Sequence, residues 1–157
     1  LWSIQKIDPP LLILALRFNM SSVFSVGEND RFRLPPEFLV LAGGDNNLRG
    51  FTTNTLPRDS GNVGSLSALL GSFEVRLHKV ILSRADVFSF LDSGSLGGAN
   101  FQLRKPIFMS PGLGLRWESP IGVLRVYGAE GFTLAERSDE PTYGRKLRLG
   151  VTYGEEF

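Results

Sequence analysis

Over much of this chain apolar residues fall on every second position, the period of a β-strand with one apolar face. Leu12, Leu14, Leu16 and Phe18 share one parity while Ala15, Arg17 and Asn19 take the other, which predicts a strand over residues 11–19 behind Pro9 and Pro10. Residues 1–7 read as the end of an earlier strand, and 25–30 as a loop around Gly27. Pro35 and Pro36 lead into a short strand over 38–41. The alternation returns with Leu69, Gly71, Phe73, Val75 and Leu77 set against Ser72, Glu74, Arg76 and His78, and a short turn is expected at 78–80. A strand over 85–92 then runs into Phe90, Leu91, Asp92, Ser93 and Gly94, where glycines are expected to open a loop reaching Pro106. Leu113, Leu115 and Trp117 alternate with Gly112, Gly114, Arg116 and Glu118; after a turn at 119–122, Leu124 and Val126 oppose Arg125 and Tyr127. Beyond a polar loop at 136–142, Leu147, Leu149, Val151 and Tyr153 oppose Lys146, Arg148, Gly150 and Thr152. The expected total is about seven or eight strands, with no segment of helical period and no internal repeat.

Short turns therefore alternate with longer loops at 42–64, 94–106 and 135–142, an asymmetry typical of up-and-down barrels of the outer membrane. The longest apolar run is Leu11 to Leu16. That is far below the roughly 20 residues a membrane helix needs, whereas a spanning strand needs only about 9–11. Alternation alone is equally compatible with a soluble β-sandwich whose polar parity faces water.

Composition narrows the chemistry more than the fold. The 157 residues carry a formal net charge of +1, so there is no electrostatic footprint for nucleic acid. The absence of cysteine excludes disulfides, thiolate metal sites and cysteine nucleophiles. His78 is the single histidine, no nucleophile-elbow sequence accompanies it, and Gly112 and Gly114 lack the third glycine and the helix of a dinucleotide site. Glu74, Asp92 and Glu118 are the carboxylates a hydrolase would have to pair, and nothing in their surroundings marks them for it. Neither catalysis nor a cofactor is expected. The chain opens at Leu1 without a methionine or a basic leader, and it is expected to be a segment of a longer protein.

One stretch stands apart from the alternation. The apolar run Phe38 to Ala42 stops at Gly43 and Gly44, passes through Asp45, Asn46 and Asn47, and returns as Leu48, Arg49, Gly50 and Phe51. The glycines allow tight backbone turns and the Asx residues can bond to their own backbone. An arginine between Leu48 and Phe51 is drawn toward an interior, where it needs a carboxylate or a set of carbonyls.

That loop resembles the Arg-Gly-aromatic hook of BamA/TamA-type outer-membrane assembly barrels. Three further stretches carry the resemblance in the same order: Phe90 to Gly94, Ser110 to Gly122 with its Ser-Pro-x-Gly turn, and the terminal Gly154 to Phe157. The resemblance covers residues 10–157. It implies an all-β, antiparallel transmembrane β-barrel of about sixteen strands, with this chain (1–157) its C-terminal part and residues 42–64 folded into the lumen.

Residue by residue, it implies a hook formed by Gly43, Gly44, Leu48, Arg49, Gly50 and Phe51, locked when Arg49 meets Asp92; Glu74 is placed to share the arginine or to meet Arg76 and Arg125. Lys146, Leu147, Arg148, Leu149, Gly150, Val151, Thr152 and Tyr153, with the terminal Phe157, would form one side of a lateral seam. Gly150 and Gly154 are compatible with a loose edge, or with a kink or bulge. Leu113, Leu115, Trp117, Leu124, Val126, Leu147, Leu149, Val151 and Tyr153 should face lipid.

The implied function is help in inserting or translocating other proteins at a bacterial or organellar outer membrane, without cofactor or nucleic acid. Its implied partners are outer-membrane lipid, client proteins, N-terminal barrel strands and periplasmic POTRA domains. The alternatives are a two-partner secretion transporter, a relative carrying a patatin-like phospholipase outside this segment, and a passive porin or structural barrel.

Overall fold

The computed structural model describes residues 12–24, 35–59, 62–82, 84–134 and 146–154. The predicted strand at 1–7, the loops at 25–30 and 136–142, and Phe157 all lie outside the described residues. Within them, β1 spans Leu12–Ser22, β2 Arg58–Asp59, β3 Asn62–Val63, β4 Ser67–Leu82, β5 Ala85–Gly97, β6 Leu103–Ser119, β7 Gly122–Leu134 and β8 Lys146–Tyr153. Six of these form one antiparallel sheet in the order β1-β4-β5-β6-β7-β8, while β2 and β3 make a separate two-residue ladder.

The strands run further than local pattern suggests. No turn occurs at 78–80: β4 continues to Leu82 through a register shift between Leu77 and Leu82, as suits the β-branched Val80 and Ile81. Nor does a loop begin at Gly94, because β5 continues to Gly97 and only 98–102 separate it from β6. Gly94 provides close approach there instead of a break. A Cβ on it would lie 2.7 Å from Leu70 Cδ2 and 3.2 Å from Leu48 Cδ1. The expected strand at 38–41 is instead a 3₁₀ turn over Pro36–Phe38 followed by a single bridge from Val40 to Ser65. Proline fixes φ and lacks an N–H, which suits the first turn of a helix better than a strand ladder.

The sheet has two contrasting faces. On one, which we term outer, Leu16 and Phe18 of β1, Leu113 of β6, and Leu147 and Leu149 of β8 are 69% to 81% exposed. On the inner face the buried set includes Glu74, Asp86, Asp92, Arg116 and Arg125. A water-soluble sheet has the reverse arrangement, and an apolar area of that extent marks an interaction or membrane surface. The strands are 13 residues long in β5 and β7 and 17 in β6. Such lengths are ample for a membrane-spanning strand, which needs about 9–11 residues.

Aromatic rings on the inner face lie over glycines of the neighbouring strand. Register places Phe88 opposite Gly114, Phe90 opposite Gly112, and Tyr127 opposite both Gly114 and Gly150. A Cβ on Gly114 would sit 2.6 Å from Phe88 Cζ, and one on Gly150 would overlap the Tyr127 ring. The three rings continue into one another, Phe88 to Phe90 at 5.9 Å and Phe90 to Tyr127 at 5.7 Å between centroids, spacings at which aromatic pairs attract. Gly150, for which the pattern allowed a loose edge or a kink or bulge, is thus a seat filled by the Tyr127 ring. Gly150→Ala should lower stability by about 1–3 kcal/mol through overpacking. The check is the midpoint of the folded-to-unfolded gel shift in denaturant; an unchanged midpoint would mean that the ring moves aside freely.

Candidate functional site

The segment from Val40 to Leu56 doubles back and lies on the inner face. It is pinned at its base by bridges from Val40 to Ser65 and from Ala42 to Leu56. Gly43 and Gly44 have φ of 101° and 105°, a left-handed backbone that strains any side chain. Asn47 closes the turn: its Oδ1 accepts from the Gly43 N–H at 2.8 Å and the Leu48 N–H at 2.7 Å, the local bonding that makes asparagine a turn residue. The tip then packs into the sheet. Leu48 is fully buried with Leu70, Leu96 and Phe108, and the Phe51 ring meets Phe108 edge to face at 5.6 Å.

Gly50 explains why nothing larger follows the arginine. A Cβ there would lie 2.7 Å from the Glu130 carbonyl carbon, so the hook backbone rests directly on the backbone of β7. Its N–H donates to Ser110 Oγ at 2.6 Å. From β7's side, a Cβ on Gly131 would lie 2.6 Å from the Gly50 oxygen.

Arg49 enters a prepared carboxylate site. Its Nε donates to Asp92 Oδ2 at 2.9 Å and its Nη2 to Asp92 Oδ1 at 2.7 Å. Only a guanidinium can make such a two-pronged pair. Nη1 reaches Glu74 Oε2 at 3.0 Å and Nη2 also reaches Ser72 Oγ at 3.0 Å. The Arg49 backbone N–H adds a bond to Asp92 Oδ2 at 3.1 Å, and Ser72 donates to Asp92 Oδ1 at 2.6 Å. The guanidinium carbon lies 3.3 Å from the Phe90 ring centroid, a cation–π contact away from water.

Glu74 both shares Arg49 and meets the other two arginines. It accepts from Arg76 Nε at 2.6 Å and from Arg125 Nη2 at 2.7 Å and 2.9 Å. Arg125 in turn lies over Phe88 at 4.8 Å. Nearer the short turns a second polar layer joins Asp86 to Arg116 at 3.3 Å and places His78 Nδ1 2.8 Å from Asp86 Oδ1. His78 therefore sits on β4 in a carboxylate–arginine layer, with no nucleophile in the contacts it makes among the described residues. Buried carboxylates engaged by arginines are poorly suited to general acid–base work, since their lone pairs are already occupied.

Several participants escape a reading of local pattern. Ser72 and Ser110 face Asp92 from the strands on either side, a relation created by register alone. The same holds for Phe90 as a stacking platform, Gly131 as a contact for Gly50, and Tyr127 as a hook contact. Parity puts all five on the inner face of a strand, but parity does not say which residue faces which.

The last strand, β8, closes the sheet at one end. Among the described residues Lys146 to Tyr153 pair only with β7, from Gly131↔Lys146 to Leu124↔Tyr153. Leu147, Leu149, Val151 and Tyr153 face outward, while Arg148 points inward and donates to the Phe51 carbonyl oxygen. Gly154 follows the strand with φ 113° and no neighbour within 4 Å of an added Cβ. Residues 5–153 match the family model of the Omp85 superfamily domain.

Proposed function

The chain belongs to the Omp85 superfamily, and we propose that it assists the insertion of other proteins into the outer membrane, or their translocation across it. The superfamily is associated broadly with outer-membrane protein assembly or translocation, and the all-β sheet fits part of its β-barrel. The observation that supports the finer reading is a hook fixed on the inner face of a sheet whose last strand is open. At β4 and β5 the hook is held by buried ion pairs, whereas β8, like β1 at the opposite edge, leaves one backbone edge without a partner among the described residues.

An unpaired strand edge is a template for another strand, because its N–H and C=O groups offer a ready ladder. In this reading β8 meets the first strand of the complete barrel, from residues outside the described ones, along a seam weak enough to open. A client strand adds there by backbone hydrogen bonds and leaves by exchange, with no bond made or broken in any side chain. Lipid on the outer face and periplasmic domains upstream belong to the same proposal. No catalytic residue or cofactor is required.

The test uses the full-length protein in proteoliposomes with an unfolded client barrel. A cysteine at Thr152, half-buried on β8, is paired with one on the barrel's first strand. Oxidation should depress client insertion, and reduction should restore it. Full insertion with the seam quantitatively locked would overturn lateral opening, and no insertion in any state would overturn the assembly function itself.

A further inference from the structure

The hook is joined to β8 as well as to β4 and β5, through contacts separate from the Arg49 site. Asp45, in the first turn of the hook, accepts a hydrogen bond from Tyr127 Oη and lies 3.6 Å from Arg148 Nη2. Arg148 Nη1 donates to the Phe51 carbonyl oxygen, and Nη2 lies 3.4 Å from Thr53 Oγ1. The Tyr127 ring that carries the bonded hydroxyl is the one seated over Gly150. One hook carboxylate thus touches the side chain that fills β8's glycine and the cation that β8 sends inward.

Little else holds the inner side of β8. Its inward residues are Lys146, Arg148, Gly150 and Thr152, of which Lys146 is exposed and Gly150 has no side chain. Its outward residues project away from the sheet and give no grip on the hook. Beyond β7's ladder the strand is tied at its end by Tyr153 Oη, which donates to the Ile121 carbonyl oxygen, and on its inner side by Arg148.

We propose that Asp45, Tyr127 and Arg148 form a latch by which the seated hook holds the edge strand in place, making them positioning residues for the seam. Arg49 anchors the hook to the middle of the sheet, and the latch transmits that anchorage to its last strand. Breaking the latch leaves the hook seated and frees β8 to separate from β7 or from an incoming partner. A charge-assisted contact to a backbone carbonyl suits this role: it is strong when water is excluded and can be exchanged for water when the strand moves.

The latch deepens the proposed seam but is measured without any client, so its failure and the failure of the assembly reading are distinguishable. Amide hydrogen exchange is followed in the full-length protein in lipid nanodiscs, comparing 146–153 with 85–97. In Arg148→Gln, which removes the charge that faces Asp45 and the Phe51 carbonyl, and independently in Tyr127→Phe, which keeps the ring over Gly150, exchange over 146–153 should quicken roughly tenfold, the scale of one charged hydrogen bond. Exchange over 85–97 should stay at the wild-type rate. Wild-type rates over 146–153 in both variants would overturn the latch. A parallel rise in both segments would overturn it too, since that is the signature of a general loss of stability.

Discussion

Arg49→Ala releases the hook and costs about 3–5 kcal/mol, the range for removing one partner of a buried ion pair. The two carboxylates it leaves do not suffer equally. Glu74 keeps Arg76 and Arg125, whereas Asp92, also fully buried, keeps among the described residues only Ser72 Oγ once the hook and its residue-49 N–H have left. Asp92 is therefore the orphan; Asp92→Ala should cost less, because the guanidinium loses its two-pronged partner but keeps Glu74 Oε2 and Ser72 Oγ. Arg49→Lys restores only part of the loss: an ammonium supplies charge but neither the two-pronged geometry nor the flat contact with Phe90. Limited proteolysis is the readout, with cleavage within 42–64 rising in both alanine variants. If 42–64 stays protected in both, the pair does not hold the hook.

An arginine placed on the outer face has the next largest effect. Leu113 and Leu149 belong to one row across the sheet, aligned through Gly128, and both point away from the hook. Leu149→Arg should cost about 2–4 kcal/mol in a lipid bilayer, the range for a cation facing lipid at the midplane of a barrel. Thr152→Arg, on the inner parity of the same strand, should cost less, because that face already accommodates Arg116, Arg125 and Arg148 among polar partners. Spin labels check the premise directly. Positions 113 and 149 should be accessible to oxygen and position 152 to a water-soluble relaxation agent; water accessibility at all three would replace the barrel with a soluble sheet.

The two expectations differ in how they could be reached. Which side of each strand is apolar follows from the pleat, which sends successive side chains to opposite faces, so the outward set on β6 and β8 was legible by counting in twos. That the apolar side is the outer one was not, since a sandwich has the same alternation. The matter is settled by where the hook lies and by Glu74, Asp92 and Arg125 being buried beneath it.

Strand ends were legible only where the cause is local. The turn at 119–122 has its proline and glycine in the turn itself, and β6 and β7 meet there as expected. Gly94 and Gly97 were misread as breakers because their reason lies elsewhere in the chain: Leu48 and Leu70 occupy the space above Gly94, and the Gln102 and Leu103 backbone lies against Gly97. Gly150, compatible by pattern with a loose edge or with a kink or bulge, likewise has a distant reason: Tyr127 on the adjacent strand occupies the space above it.

Short-range sterics and the two-residue period account for an all-β chain, the parity of its strands, a glycine-bounded turn, and an arginine that requires a carboxylate, all readable along the chain. Which residue meets which is a property of the folded sheet. Asp92 lies 43 residues from Arg49 and Phe51 lies 97 from Arg148. Such pairs arise from sheet order and register, which are set by the packing of the whole sheet and leave no local trace in the residues they join.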